Sequence, residues 1–194
     1  MVSNTEGGGW MATKYPGTTI EVLNLRKGDS KVLFDGIFAT GGITLSQVCN
    51  MTDLEPYMIQ NWVKRKFVRP PVKKLYSKEH FARIIIINML RESLQIESIC
   101  NLIQVIGGDV NDRSDDLIQD DELYHRYVDM VCDGSIDASN PDSVLKLAQK
   151  AAESFHQQIP GAKDKLVRIL EIMFYAHRAS QLRDSAKELL STLQ

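Results

Sequence analysis

A mainly α-helical protein is what this 194-residue sequence predicts, on three observations. Apolar residues recur at three- and four-residue spacing in one stretch after another from Leu45 to Leu193, the signature of amphipathic helices. Most of these stretches open on a capping residue or a proline and are separated by glycine- or proline-containing breaks. Extended runs are short and confined to the segment before Phe38 and to the surroundings of Pro70-Pro71. With 43% hydrophobic and 25% charged residues, the chain can bury one compact core or two small ones.

Taken in order, residues 1–36 form a mobile or irregular N-terminal segment. Gly7-Gly8-Gly9 and Pro16-Gly17 interrupt its start, and Trp10 and Tyr15 are expected to fold back on the domain. Ile20, Val22, Leu23 and Leu25, a turn at Lys27-Gly28-Asp29-Ser30, and then Val32, Leu33 and Phe34 read as two short extended segments or an irregular cover. A helical turn over residues 37–40 precedes Gly41-Gly42.

Thr44 is a good N-cap for a helix of about two turns carrying Leu45, Val48 and Cys49. Asn50, Met51, Thr52 and Asp53 break it, and Pro56 stands at the start of a second helix, where its missing N–H costs nothing. Ile59, Trp62 and Val63 form the buried stripe of that second helix. Tyr57, Gln60, Asn61 and Lys64 occupy its outer side, and it ends in Lys64-Arg65-Lys66. Two short helices joined by a tight turn make a helix-turn-helix, whose second helix enters the major groove of DNA.

Phe67-Val68-Arg69 and Val72-Lys73-Lys74-Leu75-Tyr76 are two short extended runs around Pro70-Pro71, read as a small wing. Ser77 caps a third helix, from Lys78 to Leu90. A fourth runs from Leu94 to Ile106, with Ile96, Ile99, Leu102, Ile103 and Ile106 on one face and Gly107-Gly108 as its stop. The unit spans residues 37–108.

These residues resemble the winged helix-turn-helix of the MerR-like regulators and, more closely, an uncharacterised bacterial family with such a domain. The resemblance covers roughly residues 37–132 and rests on Gly41-Gly42-Ile43-Thr44-Leu45-Ser46-Gln47-Val48, Gln60-Asn61-Trp62-Val63-Lys64-Arg65, Pro70-Pro71-Val72-Lys73-Lys74 and Tyr76-Ser77. In the broader regulators the second helix carries an aromatic pair followed by an acid and basic residues. Here Asn61, Trp62, Val63, Lys64 and Arg65 stand there, so one aromatic is absent. The resemblance implies a transcription regulator that binds double-stranded DNA and dimerises through long helices after the wing. It implies no effector, operator, or choice between activation and repression.

Residues 109–194 read as an acidic helical region for dimerisation or regulation. It opens on Asp109, Asp112, Asp115, Asp116, Asp120, Asp121 and Glu122. An EF-hand count from Asp109 puts Arg113 at the fifth position and Ser114 at the sixth, so a solvated acidic loop is expected rather than a calcium site. A helix follows from Asp120 or Asp121 to Cys132, stopped by Asp133-Gly134. Another starts at Asn140-Pro141 and ends at Pro160-Gly161. The last runs from Ala162 to Leu193, with Leu166, Ile169, Met173, Ala176, Leu182, Ala186, Leu189 and Leu193 along one side, as a seam in a homodimer or a strut of its own bundle.

The net charge of -2 conceals an uneven division. Residues 44–91 hold nine Lys and Arg against three Asp and Glu, whereas residues 92–194 hold ten against eighteen. One surface therefore attracts a polyanion and another repels it. A run such as Lys64-Arg65-Lys66 is by itself a solvated helix end. Its coincidence with the turn, the wing and the exposed amides points to DNA. The expected contact residues are Tyr57, Gln60, Asn61, Lys64, Arg65, Lys66, Arg69, Lys73 and Lys74.

Catalytic, metal-binding and cofactor-binding residues are not expected. G-x-S-x-G, the phosphate-loop pattern, H-E-x-x-H and C-x-x-C are all absent, and His80, His125, His156 and His177 stand far apart. Asn50-Met51-Thr52 fits the glycosylation pattern but falls in the turn of a DNA module. Cys49, Cys100 and Cys132 are widely spaced in apolar helical contexts, as reduced core thiols are. No export signal or apolar run of bilayer length is present, so a soluble cytoplasmic protein is expected. The alternative function is a protein-interaction module that keeps the helix-turn-helix shape without binding DNA.

Overall fold

The structure, a computed structural model, describes residues 13–107, 117–132, 136–137, 139–156 and 159–193. Its elements are β1 (Thr13–Lys14), β2 (Glu21–Val22), α1 (Asp29–Ile37), α2 (Leu45–Thr52), α3 (Pro56–Lys64), α4 (Lys78–Leu90), α5 (Ile96–Gly107), α6 (Asp120–Val131), α7 (Pro141–Ala151) and α8 (Ala162–Ser191). The protein is mainly helical. The two strands make one small antiparallel pair, Thr13 opposite Val22 and Lys14 opposite Glu21.

Helix α4 is the centre. Ten of its thirteen residues are buried, including all of Ile84-Ile85-Ile86-Ile87, because a helix apolar all round must be surrounded. Helices α2, α6 and α8 pack around it, and one continuous hydrophobic cluster joins them. Ser77 caps α4 as predicted and forms a capping box with His80. From the other end of α4, Asn88 Nδ2 donates to the carbonyls of Gly17 and Thr52, both at 3.0 Å. That amide fastens the N-terminal segment and the end of α2 to the core. Gly17 has φ 74°, and a Cβ there would lie 2.3 Å from the Ile85 carbonyl oxygen, so only glycine fits.

Four expectations are corrected. Residues 29–36, assigned to an irregular or mobile segment, form most of α1. Val32-Leu33-Phe34 is helical because Ser30, Leu33, Phe34 and Ile37 fall at helical spacing and turn toward the core, leaving Val32 exposed. Phe34 stacks on Tyr124 at 5.6 Å and meets the His125 ring edge-on at 4.8 Å, so the glycine–aspartate pair read as part of a turn is a helix start. Second, the runs at 67–69 and 72–76 are not strands. Isolated bridges join Tyr76 to Ile43 and, within the second run, Val72 to Leu75, and neither involves residues 67–69. Third, α5 starts at Ile96 rather than Leu94, and α7 ends at Ala151 rather than Pro160-Gly161. Fourth, the apolar side of α8 is not uniform. Leu166, Ile169, Met173 and Ala176 are buried, but Leu182, Leu189 and Leu193 are exposed.

Tyr15 folds back as expected and is buried, while Trp10 lies outside the described residues. So do the acidic residues 109–116 and the stops at Gly108 and Asp133-Gly134. Asn140 caps α7 by accepting from the Asp142 N–H.

Candidate nucleic-acid interface

Helices α2 and α3 and the turn between them follow from local chemistry. Thr44 and Gln47 form a reciprocal capping box at the start of α2. Asp53 ends α2 in the left-handed conformation, φ 55°, with its N–H donating to the Cys49 carbonyl at 2.9 Å. Leu54 is buried and pins the turn, and Pro56 opens α3 at its first position. Ile59 and Trp62 anchor α3 in the core. Its outer side presents Tyr57, Gln60, Asn61 and Lys64, all exposed, with Tyr57 at 69%.

The end of α3 is a Schellman motif: the Phe67 N–H donates to the Trp62 carbonyl at 2.8 Å and the Lys66 N–H to the Val63 carbonyl at 3.0 Å. Glycine normally occupies the left-handed position of that motif. Here it is Lys66, φ 62°. Beyond it, Val72 and Leu75 exchange two backbone hydrogen bonds, 3.1 and 2.9 Å, across Lys73 (φ 50°) and Lys74 (φ 65°). Two central residues of positive φ make a type I′ hairpin turn, which favours Asn-Gly or Gly-Gly. Among the described residues, every non-glycine residue with positive φ lies between 53 and 74, and three of the four are lysines. Each left-handed lysine costs about 1 kcal/mol relative to glycine. The hairpin turn was hidden in the sequence because Lys-Lys is not a turn dipeptide.

Charge pairing sorts the nine basic residues of 44–91. Lys78 bonds Asp121 at 2.8 Å, Arg83 grips Asp120 at 2.8 to 2.9 Å, and Arg91 meets Glu92 at 3.5 Å. These three are paired with acids, two of them on α6 and the third next in sequence to Arg91. Arg69 also interacts within the fold, which leaves Lys64, Arg65, Lys66, Lys73 and Lys74; all six are within the predicted set. Arg65 lies over the Phe67 ring at 4.7 Å, which steadies its guanidinium. Arg69 is half-buried, and the other five cations are exposed. The predicted contact residues thus fall on α3, its C-terminus and the short hairpin that follows.

Cys49 and Cys100 are half-buried free thiols, with burial the main cause holding each above its ordinary pKa. Among the described residues no helix is long and apolar enough to cross a membrane.

Comparison with known proteins gives this region a relationship but no activity. The family described as Domain of unknown function (DUF1836) matches residues 38–127. The Uncharacterized protein YkrK of Bacillus subtilis (strain 168) is 27% identical over 150 residues, 74% of this chain and 56% of that protein. The chain therefore spans little more than half the length of that relative. No solved structure matches. Over α2 to α6, the chain is similar to a family of unknown function.

Proposed function

We propose that the protein is a DNA-binding transcriptional regulator built on a MerR-like winged helix-turn-helix, with residues 55–66 in the major groove and the segment 67–76, with its hairpin turn at Lys73-Lys74, as a wing on the backbone. The observation that carries this reading is the placing of Lys66, Lys73 and Lys74 in left-handed positions where glycine or asparagine is more stable. Strain of this kind is retained where the side chain is used. At these positions the side chain offers an exposed cation, following in sequence the exposed face of α3. Lysine and arginine suit phosphates, and the amides of Gln60 and Asn61 suit an adenine edge.

The test substitutes Lys73→Asn with Lys74→Gly. That pair matches the turn, so thermal stability should rise by about 1 to 2 kcal/mol. Affinity for duplex DNA should fall in the same protein, and the slope of log K against log salt should flatten by about 0.9 for each phosphate no longer neutralised. A more stable variant with unchanged affinity at every salt concentration would remove the wing from the DNA site. If the wild type fails to bind duplex DNA even at low salt, DNA binding itself is lost and the protein-interaction reading takes its place.

The same reading includes a homodimer. On α8, Ile172, Tyr175, Ala179, Leu182, Ala186 and Leu189, continued by Leu193 just beyond its end, repeat at alternating three- and four-residue spacing, and all are exposed. The opposite side of the same helix is buried through Met173, Phe174 and Ala176. Such a repeat is a coiled-coil seam. Antiparallel pairing sets the alanines of one helix against the leucines of the other, whereas parallel pairing stacks alanine on alanine. Leu182→Glu with Leu189→Glu should bury uncompensated charge at that seam and yield monomers by light scattering. A wild type that is monomeric at tens of micromolar removes the dimer.

A further inference from the structure

Away from the basic surface, α1, α6 and α7 enclose a cavity of about 400 Å³, within the usual range for a small-molecule site. Two hydrogen bonds hold α1 against α6 beneath it. Asp129 Oδ1 accepts from the Gly28 N–H at 2.8 Å, and Ser30 Oγ meets His125 Nδ1 at 2.9 Å. Across the cavity, Arg126 donates to the Ala151 carbonyl at 2.7 Å and to Ser154 Oγ at 3.2 Å, tying α6 to the end of α7.

The wall is cationic where the chain around it is acidic. Lys27, Lys31, Arg126 and Lys150 face it, and among the described residues its carboxylates are Glu122 and Asp129. Both of those carboxylates are engaged: Glu122 holds Arg126 at 2.7 Å, and Asp129 accepts from Gly28. Lys27 and Lys31 flank the first turn of α1 and are exposed, with no ion-pair partner among the described residues. Met130, Leu147 and Ala151 add an apolar portion to the lining. A wall with surplus positive charge and a limited apolar surface selects a compact organic anion and rejects a neutral or cationic molecule of the same size.

We infer that this cavity binds a small organic anion, a carboxylate or phosphate ester, gripped by Lys27 just before α1 and Lys31 on it, and seated against α6 and α7. Such a ligand bridges α1 to the C-terminal helices. Because residues 38–44 lead from α1 directly into α2, occupancy bears on how the basic unit is held. Anion binding does not depend on DNA binding, and either can fail alone.

Thermal unfolding of the full chain with glycerol 3-phosphate, glutarate or uncharged glycerol, each at about 10 mM and constant ionic strength, tests the site. At least one of the two anions should raise the wild-type midpoint by about 3 °C while glycerol does not. Lys27→Glu with Lys31→Glu changes only exposed side chains and should abolish that rise. Lys73→Ala with Lys74→Ala should leave it intact. An absent response to both anions overturns the inference. So does a response that survives the Lys27 and Lys31 changes, or one that disappears with Lys73 and Lys74, since the anion would then sit on the basic surface.

Discussion

Replacing Asp120 with alanine should destabilise the protein by about 3 to 5 kcal/mol, because it strands a buried guanidinium. Arg83 projects from the central helix α4, and both its side chain and that of Asp120 are about nine-tenths buried, at 9% and 11% exposure. Arg83 Nε lies 2.9 Å from both carboxylate oxygens, and Nη2 lies 2.8 Å from Oδ1. Two charges out of water are tolerable only as a pair with good geometry. Asp120 is also the first residue of α6, where a carboxylate favours the helix dipole. Urea unfolding of Asp120→Ala measures the loss. The double change Arg83→Met with Asp120→Leu should recover most of it, since it removes both charges and fills the space with apolar atoms. A single variant within 1 kcal/mol of wild type would show that water reaches the pair and screens it, contrary to the burial described.

This ion pair shows why the charge division read from the sequence was only half of its meaning. Counting put nine cations in 44–91 and an acidic excess after them, and both facts stand. The count could not say that Arg83 turns inward to meet Asp120, or that Lys78 reaches Asp121. That is a consequence of α6 packing on α4, a long-range event with no local signal.

Where local chemistry decides, the sequence was readable. Thr44, Pro56 and Ser77 mark the starts of α2, α3 and α4 at the residues where the helices begin, and of the expected stripe of α3 Ile59 and Trp62 are buried and Val63 half-buried. The outer face of α3 was equally legible, since it is the complement of that stripe. Helix α1 was misread because Gly28-Asp29 fits both a turn and a helix start, and only the pocket of Tyr124, Phe81 and His125 around Phe34 selects the second. The hairpin of Lys73 and Lys74 was illegible for the opposite reason: its residues contradict local preference, so propensity could not announce it.

Acidification should cost the fold about 3 kcal/mol between pH 6.5 and pH 4 through His177 alone. Its ring sits between α6 and α8, with Nδ1 2.8 Å from the Tyr127 hydroxyl. Burial, assisted by the neighbouring Arg178 charge, lowers its pKa from 6.5 to about 4. Tyr127 is held far above its ordinary value by its own burial, so the pair stays neutral. In the unfolded chain the imidazole takes up a proton as the pH falls through about 6.5, while the folded chain refuses it until about 4. The unfolded state therefore binds more protons throughout that window, and stability rises with pH across it. The contribution is complete above pH 6.5 and lost progressively below. His125 is shifted in the same direction, with burial the leading cause, and adds to the slope. His177→Gln keeps a polar partner for Tyr127 and cannot titrate, so its loss of stability between pH 7 and pH 4 should be smaller than that of wild type by about 3 kcal/mol. Chemical denaturation at a series of pH values separates the two proteins. Parallel curves for wild type and His177→Gln would mean that solvent reaches the imidazole in the folded state and that another group carries the acid sensitivity.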